Sequence, residues 1–280
     1  EELIRFAPLI RSISQSVTII IMSHGNLSGD NLYEIAGPQG RFHGWKRYAE
    51  TWQLGLDLRV ESEIRHSSID VVCVMSEEES VLERWLGAKQ VVVLPRTINF
   101  NPVSWAPIKG RAGFVGTLNH TPNRAALEQI FSLLAKRSEN AIQIHLVGRP
   151  SEIGNELQKK YPFVRYLGSL NDEELMMEAQ TWSVFLNPIF WLSRGASMKL
   201  AQALGWGLPV LTTTSGRRGY RLPSGVVAQT EDNAVDFCNA LIGLLNQPVE
   251  CEKLSKSLAN KTNKLTTVEL LGLELRDAFS

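Results

Sequence analysis

Apolar residues along this chain follow two periods. Val17–Met22 is a continuous, mostly β-branched run, the pattern of a strand covered on both faces. Between Trp45 and Ser68 the positions Tyr48, Trp52, Leu56 and Val60 recur at helical spacing, which predicts a helix burying those side chains. Asp70–Met75 reads as a second strand. Ser76 with Glu79 three residues on has the spacing of a capping box, so a helix starts there. Gln90–Pro95 is a third strand, ended by its proline. Residues 96–111 lack a period and contain Pro102 and Pro107, which predicts an interdomain linker. From Ala112 onward apolar strands alternate strictly with helices. These are expected near Pro122–Arg137, Ser151–Lys160, Asp172–Gln180, Gly195–Leu204, Glu231–Leu245 and Cys251–Ala278.

Such alternation predicts an α/β fold with parallel sheets and helices on both faces. The linker divides the chain into residues 1–105 and 106–280. The second part carries a full set of elements. The first shows about three strands where a dinucleotide-type fold has six, so it is expected to be an incomplete or reduced domain. Glu1 in place of methionine agrees with that expectation.

Composition narrows the classes. The 280 residues are 44% hydrophobic and 21% charged, with 29 basic and 29 acidic side chains and a formal net charge of zero. A neutral chain argues against nucleic acid as the main partner. The three cysteines, Cys73, Cys238 and Cys251, are scattered. They outline neither a disulfide framework nor a zinc site, and point to a reducing compartment, hence a cytoplasmic protein. No apolar run approaches the roughly 20 residues that span a bilayer, and no signal peptide opens the chain.

The most informative stretch is Ser193–Gly216. It reads as a glycine-containing turn at Gly195, an amphipathic helix, a stop at Gly205 and Gly207, a short buried strand from Pro209, and a loop of Thr213, Thr214, Ser215 and Gly216. A helix N-terminus presents unpaired N–H groups and partial positive charge to a phosphate. Lys199 adds a point charge one turn in. Gly116–Asn123 lies between a strand and a helix opened by Pro122, and Thr117, Asn119 and Asn123 suit phosphate or sugar hydroxyls, with Arg124 supplying charge. Arg149 follows the strand containing His145 and reads equally as a ligand contact or a surface arginine. His145 itself reads as a core histidine. His24, at the carboxyl end of the Val17–Met22 strand, suits acceptor contact or proton handling, with a structural turn at Ser23–Asn26 as the competing reading. His43 and Trp45 outline an aromatic loop able to stack on a sugar. Arg217 and Arg218 suit anions or solvent. No metal-ligand spacing, Walker motif or nucleophile elbow occurs.

The order Gly195, Lys199, Gln202, Gly207-Leu-Pro-Val210, Thr212, Gly216 resembles the donor-site signature of family 4 (group 1) glycosyltransferases of the two-Rossmann-domain, GT-B, fold. Gly113–Asn123, Ile142–Arg149, Val164–Gly168 and Val184–Pro188 fall in the order that family requires, so the resemblance covers roughly residues 70–246. It implies a partial acceptor-side domain over 1–105 and a nucleotide-sugar domain over 106–280. It also implies that Lys199 offsets charge on a departing diphosphate. The donor would be held by Gly116, Thr117, Asn119, Asn123, Arg124, Arg149, Gly195, Gln202, Thr214, Ser215 and Gly216, with His24 on the acceptor side. No cofactor or metal is implied; the nucleotide sugar is substrate.

The sequence departs from the family at both acids of its Glu–x7–Glu pair, where Arg194 and Gln202 stand. The expected activity is transfer of a hexose-type unit, with retention, to a glycan, lipid-linked or other hydroxyl acceptor in glycan or surface polysaccharide synthesis. Peripheral membrane contact is compatible with it. The double replacement motivates an alternative, a catalytically silent relative that binds nucleotide, glycan or a partner protein. A nucleotide-sugar epimerase on the same fold is a weaker third reading.

Overall fold

The computed structural model describes residues 3–25, 27–36, 42–137, 142–191 and 195–279. In chain order the elements are α1 (Ala7–Ile13), β1 (Ile20–Met22), α2 (Leu27–Ala36), α3 (Gly44–Ser68), β2 (Val71–Val74), α4 (Glu77–Trp85) and β3 (Gln90–Val93). After the linker come β4 (Arg111–Val115), α5 (Thr121–Ala135), β5 (Gln143–Val147), α6 (Ser151–Lys160), β6 (Val164–Gly168), α7 (Asp172–Ala179) and β7 (Val184–Asn187). The chain ends with α8 (Met198–Gly205), β8 (Val210–Thr213), β9 (Ala228–Thr230), α9 (Ala234–Asn246), α10 (Pro248–Ala259) and α11 (Val268–Phe279). The single helix expected over Cys251–Ala278 is two, separated by a short 3-10 turn at Thr262–Lys264.

Every strand pair is parallel. The first sheet has the order β1-β2-β3, and the second β6-β5-β4-β7-β8-β9. Within its own domain the second order is 3-2-1-4-5-6, the doubly wound arrangement whose direction reverses between β4 and β7. Period-2 alternation sends neighbouring side chains to opposite layers. Val184 and Leu186 pack under α5 and α9 with Phe131, Phe237 and Leu241, while Phe185 faces Trp182, Leu200 and Leu204 on the α8 side. Close approach is built in at Gly113, where an added Cβ would fall 1.9 Å from the Trp182 ring.

Helix α3 forms where its periodicity predicts, but the face assigned from that periodicity is wrong. Tyr48 and Trp52 are 72% and 74% exposed, and Leu56 and Val60 are also exposed. The buried stripe is Leu54, Glu61, Ile64, Arg65 and Ser68, with Arg65 bonded to the Glu83 carboxylate. The two stripes lie on opposite sides of one helix, and the buried Arg65 is paired with Glu83 rather than left alone in the interior. Trp45 lies in the first turn of α3 rather than in a loop, and is 85% exposed.

The linker is not a free tether. Ile98, Phe100, Val103 and Trp105 pack into the α8-side core, and the Trp105 indole donates to the Trp182 carbonyl at 2.7 Å. At the other end α11 returns to the first domain, where Leu271 and Leu275 pack against Val71, Cys73 and Leu94. Residues 268–279 thus lie against the first sheet although the linker rule grouped them with the second. Among the described residues no helix is long and apolar enough to cross a membrane.

Candidate functional site

Open α/β sheets bind ligands outside the carboxyl ends of their strands, where the strand order reverses. Here that point lies between β4 and β7, so the two loops that meet there are Gly116–His120, leading to α5, and the segment after Asn187, leading to α8. The first loop is drawn tight by glycines. Gly116 donates to the Val147 carbonyl, and Gly148, at φ +149°, passes so near that a Cβ on it would sit 1.8 Å from the Gly116 oxygen. Asn123 then folds back, its amide donating to the Thr117 carbonyl at 2.9 Å.

Lys199 reaches this loop from α8. Its Nζ donates to Asn123 Oδ1 at 2.6 Å and lies 4.5 Å from the centre of the Phe114 ring, on the ring's face. The bond ties together the first turns of α5 and α8, the two helices that begin at the reversal point. Enclosure in apolar surroundings pushes the Lys199 pKa down to about 7, although the residue as a whole keeps part of its surface in contact with solvent.

The two helices that begin at this point lack side-chain caps. Ser197, the N-cap of α8, makes none, because its hydroxyl donates instead to Asn187 Oδ1 at 2.9 Å; His120 makes none at α5. Helices α4, α7 and α9, by contrast, are capped by Ser76, Asn171 and Asn233. A suitable hydroxyl at Ser197 is therefore turned aside, leaving the positive end of α8 uncapped by its own chain. Tyr220 braces the same turn: its hydroxyl accepts from Ala201 N at 3.1 Å and donates to the Ser197 carbonyl, and burial pushes its pKa up to about 12.

Gly116, Thr117, Asn123 and Lys199 thus converge, and Gly195 abuts the first domain, where a Cβ on it would lie 3.3 Å from the His24 carbonyl. His24 is exposed at the end of β1, and Asn119 is exposed on the loop. Gln202 lies on α8, half-buried, three residues beyond Lys199. Other candidates are bonded to protein partners. Arg124 pairs with Glu128 at 2.9 Å and reaches toward Glu156; Arg149 donates to Ser169 at 2.7 Å from an exposed position. Ser215 gives both its N–H and its hydroxyl to Asp232, Gly216 donates to Thr213 Oγ1, and Thr214 is bonded to the Thr230 carbonyl. Those groups brace the loop after β8. Arg194 and Asn26 lie outside the described residues. His145 is a satisfied core residue, bonded to Glu178 and to Gln143. Among the described residues no group of His, Cys, Asp or Glu is arranged to hold a metal ion.

Residues 109–247 match the profile of a family described as glycosyl transferases group 1. That segment belongs to the group 1 glycosyltransferases. Among solved structures, the chain superposes on sucrose-phosphate synthase from Thermosynechococcus elongatus with a TM-score of 0.72 and 20% identity, over 98% of this chain and 70% of that one. Anabaena HepE, solved with UDP and glucose, gives 0.71 and 11%, over 99% and 75%. TarM gives 0.64 and 14%, covering 86% of this chain; the match spans 48% of TarM's length. At these identities the likeness shows the GT-B fold. A search of curated protein sequences gave no match.

Three contributors to the site were not singled out from the sequence: Phe114, Asn187 and Tyr220. Arg218, which the sequence offered to anions or solvent, instead has its guanidinium buried and donates to the Gly195 carbonyl at 2.9 Å. Only Asn187 carried a signal, as a polar residue closing an otherwise apolar strand. It spends its amide on Thr212 and Gly216 and its carbonyl on Ser197.

Proposed function

We propose that this glycosyltransferase moves a hexose-type unit from a nucleoside diphosphate sugar to a hydroxyl acceptor, with residues 106–280 as the donor side and residues 1–105 contributing to the acceptor side. The observation that carries the reading is the Lys199–Asn123 bond, which sets a cation, two uncapped helix N-termini and a glycine-tight loop at the reversal point of the sheet. That combination suits a diphosphate, with the UDP-bound HepE of similar fold as precedent.

In this reading the bond between the sugar C1 and the diphosphate oxygen breaks, and its electron pair leaves with the diphosphate. Lys199 and the start of α8 stabilise the growing negative charge. The acceptor oxygen bonds to C1 on the face the leaving group vacates, which retains configuration. The acceptor proton passes to the leaving diphosphate or to His24. Glycan or surface polysaccharide synthesis is the setting the family resemblance suggests.

A second reading is motivated by Gln202 and by the engagement of the Gly195 N–H with a protein carboxylate: a silent relative that binds nucleotide without transfer. Calorimetric titration with UDP, GDP and ADP, followed by donor hydrolysis with the bound base, separates the two. Saturable binding with sugar release supports transfer. Binding without turnover of any donor or acceptor supports the silent reading, and no binding refutes both.

A further inference from the structure

The spacing of Ser76 and Glu79 predicts a reciprocal capping box, and α7 shows what a complete one looks like here: Asn171 accepts from Glu174 N, and the Glu174 carboxylate returns to Asn171 N. At α4 only half of it forms. Ser76 Oγ accepts from Glu79 N at 3.2 Å, but the Glu79 carboxylate is diverted. Its Oε2 accepts from Met75 N at 3.2 Å, and its Oε1 accepts the N–H of Gly195, in the other domain, at 2.6 Å.

Glu79 is buried at 9% exposure, and its target is held from every side. The Gly195 carbonyl accepts from Arg218, its Cα faces the His24 carbonyl, and its φ of +70° favours glycine. The adjoining Gly219 is equally confined, since a Cβ on it would sit 2.5 Å from Ala196 Cβ and 3.4 Å from the Met75 carbonyl. A carboxylate removed from water needs such donors, and a charged N–H···O bond is among the stronger ones. Gly195 stands three residues before the first residue of α8, whose next residue is Lys199.

We propose that Glu79 is a positioning residue of the first domain that, through Gly195, sets the start of α8 and so the placement of Lys199. Closing the two domains and completing the diphosphate site then become one event. This rests on the donor reading above. It departs from what the family resemblance implied for Gly195, whose N–H serves the domain junction.

The test is hydrogen exchange across residues 195–203 together with UDP titration, in the wild-type chain, Glu79→Ala and Glu79→Gln. Glu79→Ala is expected to speed exchange at the start of α8 at least tenfold, leave the start of α5 unchanged, and weaken UDP about tenfold. Glu79→Gln keeps an acceptor oxygen and is expected to restore both to within about threefold of wild type. Gly195→Ala, which crowds the His24 carbonyl while leaving Glu79 in place, should reproduce the Ala result if Glu79→Ala does not fold. Unchanged exchange in Glu79→Ala overturns the proposal; so does faster exchange with undiminished UDP affinity, or equal loss in Gln and Ala. If the wild-type chain binds no nucleotide, the donor reading fails on that ground, and the Lys199 part of the proposal falls with it. The exchange comparison then still shows whether Glu79 holds the junction.

Discussion

Lys199 provides a prediction whose size and pH window follow from one another. In the folded chain burial lowers its pKa to about 7, and a diphosphate beside the ammonium favours the charged form and raises the pKa again. Two unit charges about 4 Å apart at an effective dielectric near 20 attract by about 4 kcal/mol, and a charged hydrogen bond nets about 1.5–3 kcal/mol. Because Lys199 keeps partial exposure, the low end, about 2 kcal/mol, is the appropriate figure, which is about thirtyfold in affinity. By linkage a thirtyfold preference of the ligand for the charged form raises the pKa by about 1.5 units, to about 8.5 in the complex. The lysine's contribution to UDP affinity should therefore be flat below about pH 6, fall about fifteenfold by about pH 8.5, and level off about thirtyfold down near about pH 9.5. The phosphate titrates near about pH 6 and adds little slope above about pH 7. Lys199→Met should bind at the wild-type alkaline level at every pH. Calorimetry in two buffers of different ionisation enthalpy would show the proton taken up between those limits. The unliganded chain should behave oppositely: its unfolded state holds the Lys199 proton to higher pH, so this residue's contribution makes stability rise above about pH 7. A wild-type affinity independent of pH from 6 to 9 would refute the lowered pKa, and Lys199→Met binding as well as wild type at pH 6 would refute the phosphate contact.

Three further outcomes test the packing. Gly113→Ala should cost at least about 3 kcal/mol, since its Cβ would overlap the Trp182 ring, read as a lowered urea midpoint; a change under about 1 kcal/mol would mean the strand yields. Trp45→Ser and Trp52→Ser should each leave stability within about 0.5 kcal/mol, whereas Leu54→Ala on the opposite side of α3 should cost about 2–4 kcal/mol, and reversal of that order in thermal melts would restore the face read from periodicity. Glu178 has its carboxyl held below the usual value, the His145 and Trp182 hydrogen bonds outweighing burial. Its stabilisation is present above about pH 4.5 and lost as pH falls through the lowered value. Glu178→Gln should therefore cost about 1–3 kcal/mol at pH 7 and progressively less in acid, and a cost that does not change with pH would show that Glu178 carries no charge in the fold.

The second domain was legible because its signals are local. Continuous apolar strands, proline and glycine punctuation, and helices of ordinary length each occupy a window of ten or so residues, and their alternation admits few topologies. The pairing of Lys199 with Asn123, 76 residues away at the start of α5, was legible only through its two ends. Each end was read as a phosphate-suited helix start, and the reversal of strand order is what makes them neighbours. Arg124 and Ser215 show the converse. Their residue types suit a phosphate, yet Glu128 and Asp232 satisfy them first, and sequence does not rank a ligand against a competing side chain.

The least legible region is the first domain, and α3 shows why. Its aromatic stripe has good helical spacing and its buried side carries Glu61 and Arg65, so a rule that sends apolar side chains inward selects the wrong face. The rule fails wherever charges find their partners before solvent does, as Arg65 does with Glu83. Glu79 is the same failure with a functional consequence. Its local assignment, a capping carboxylate, is chemically sound, and α7 carries it out, but at α4 a backbone N–H from 116 residues away competes for the same oxygen and wins. Carboxylates that leave a sequence-specified local partner for a distant one mark where two domains act together. At Glu79 that departure ends beside the helix that carries Lys199.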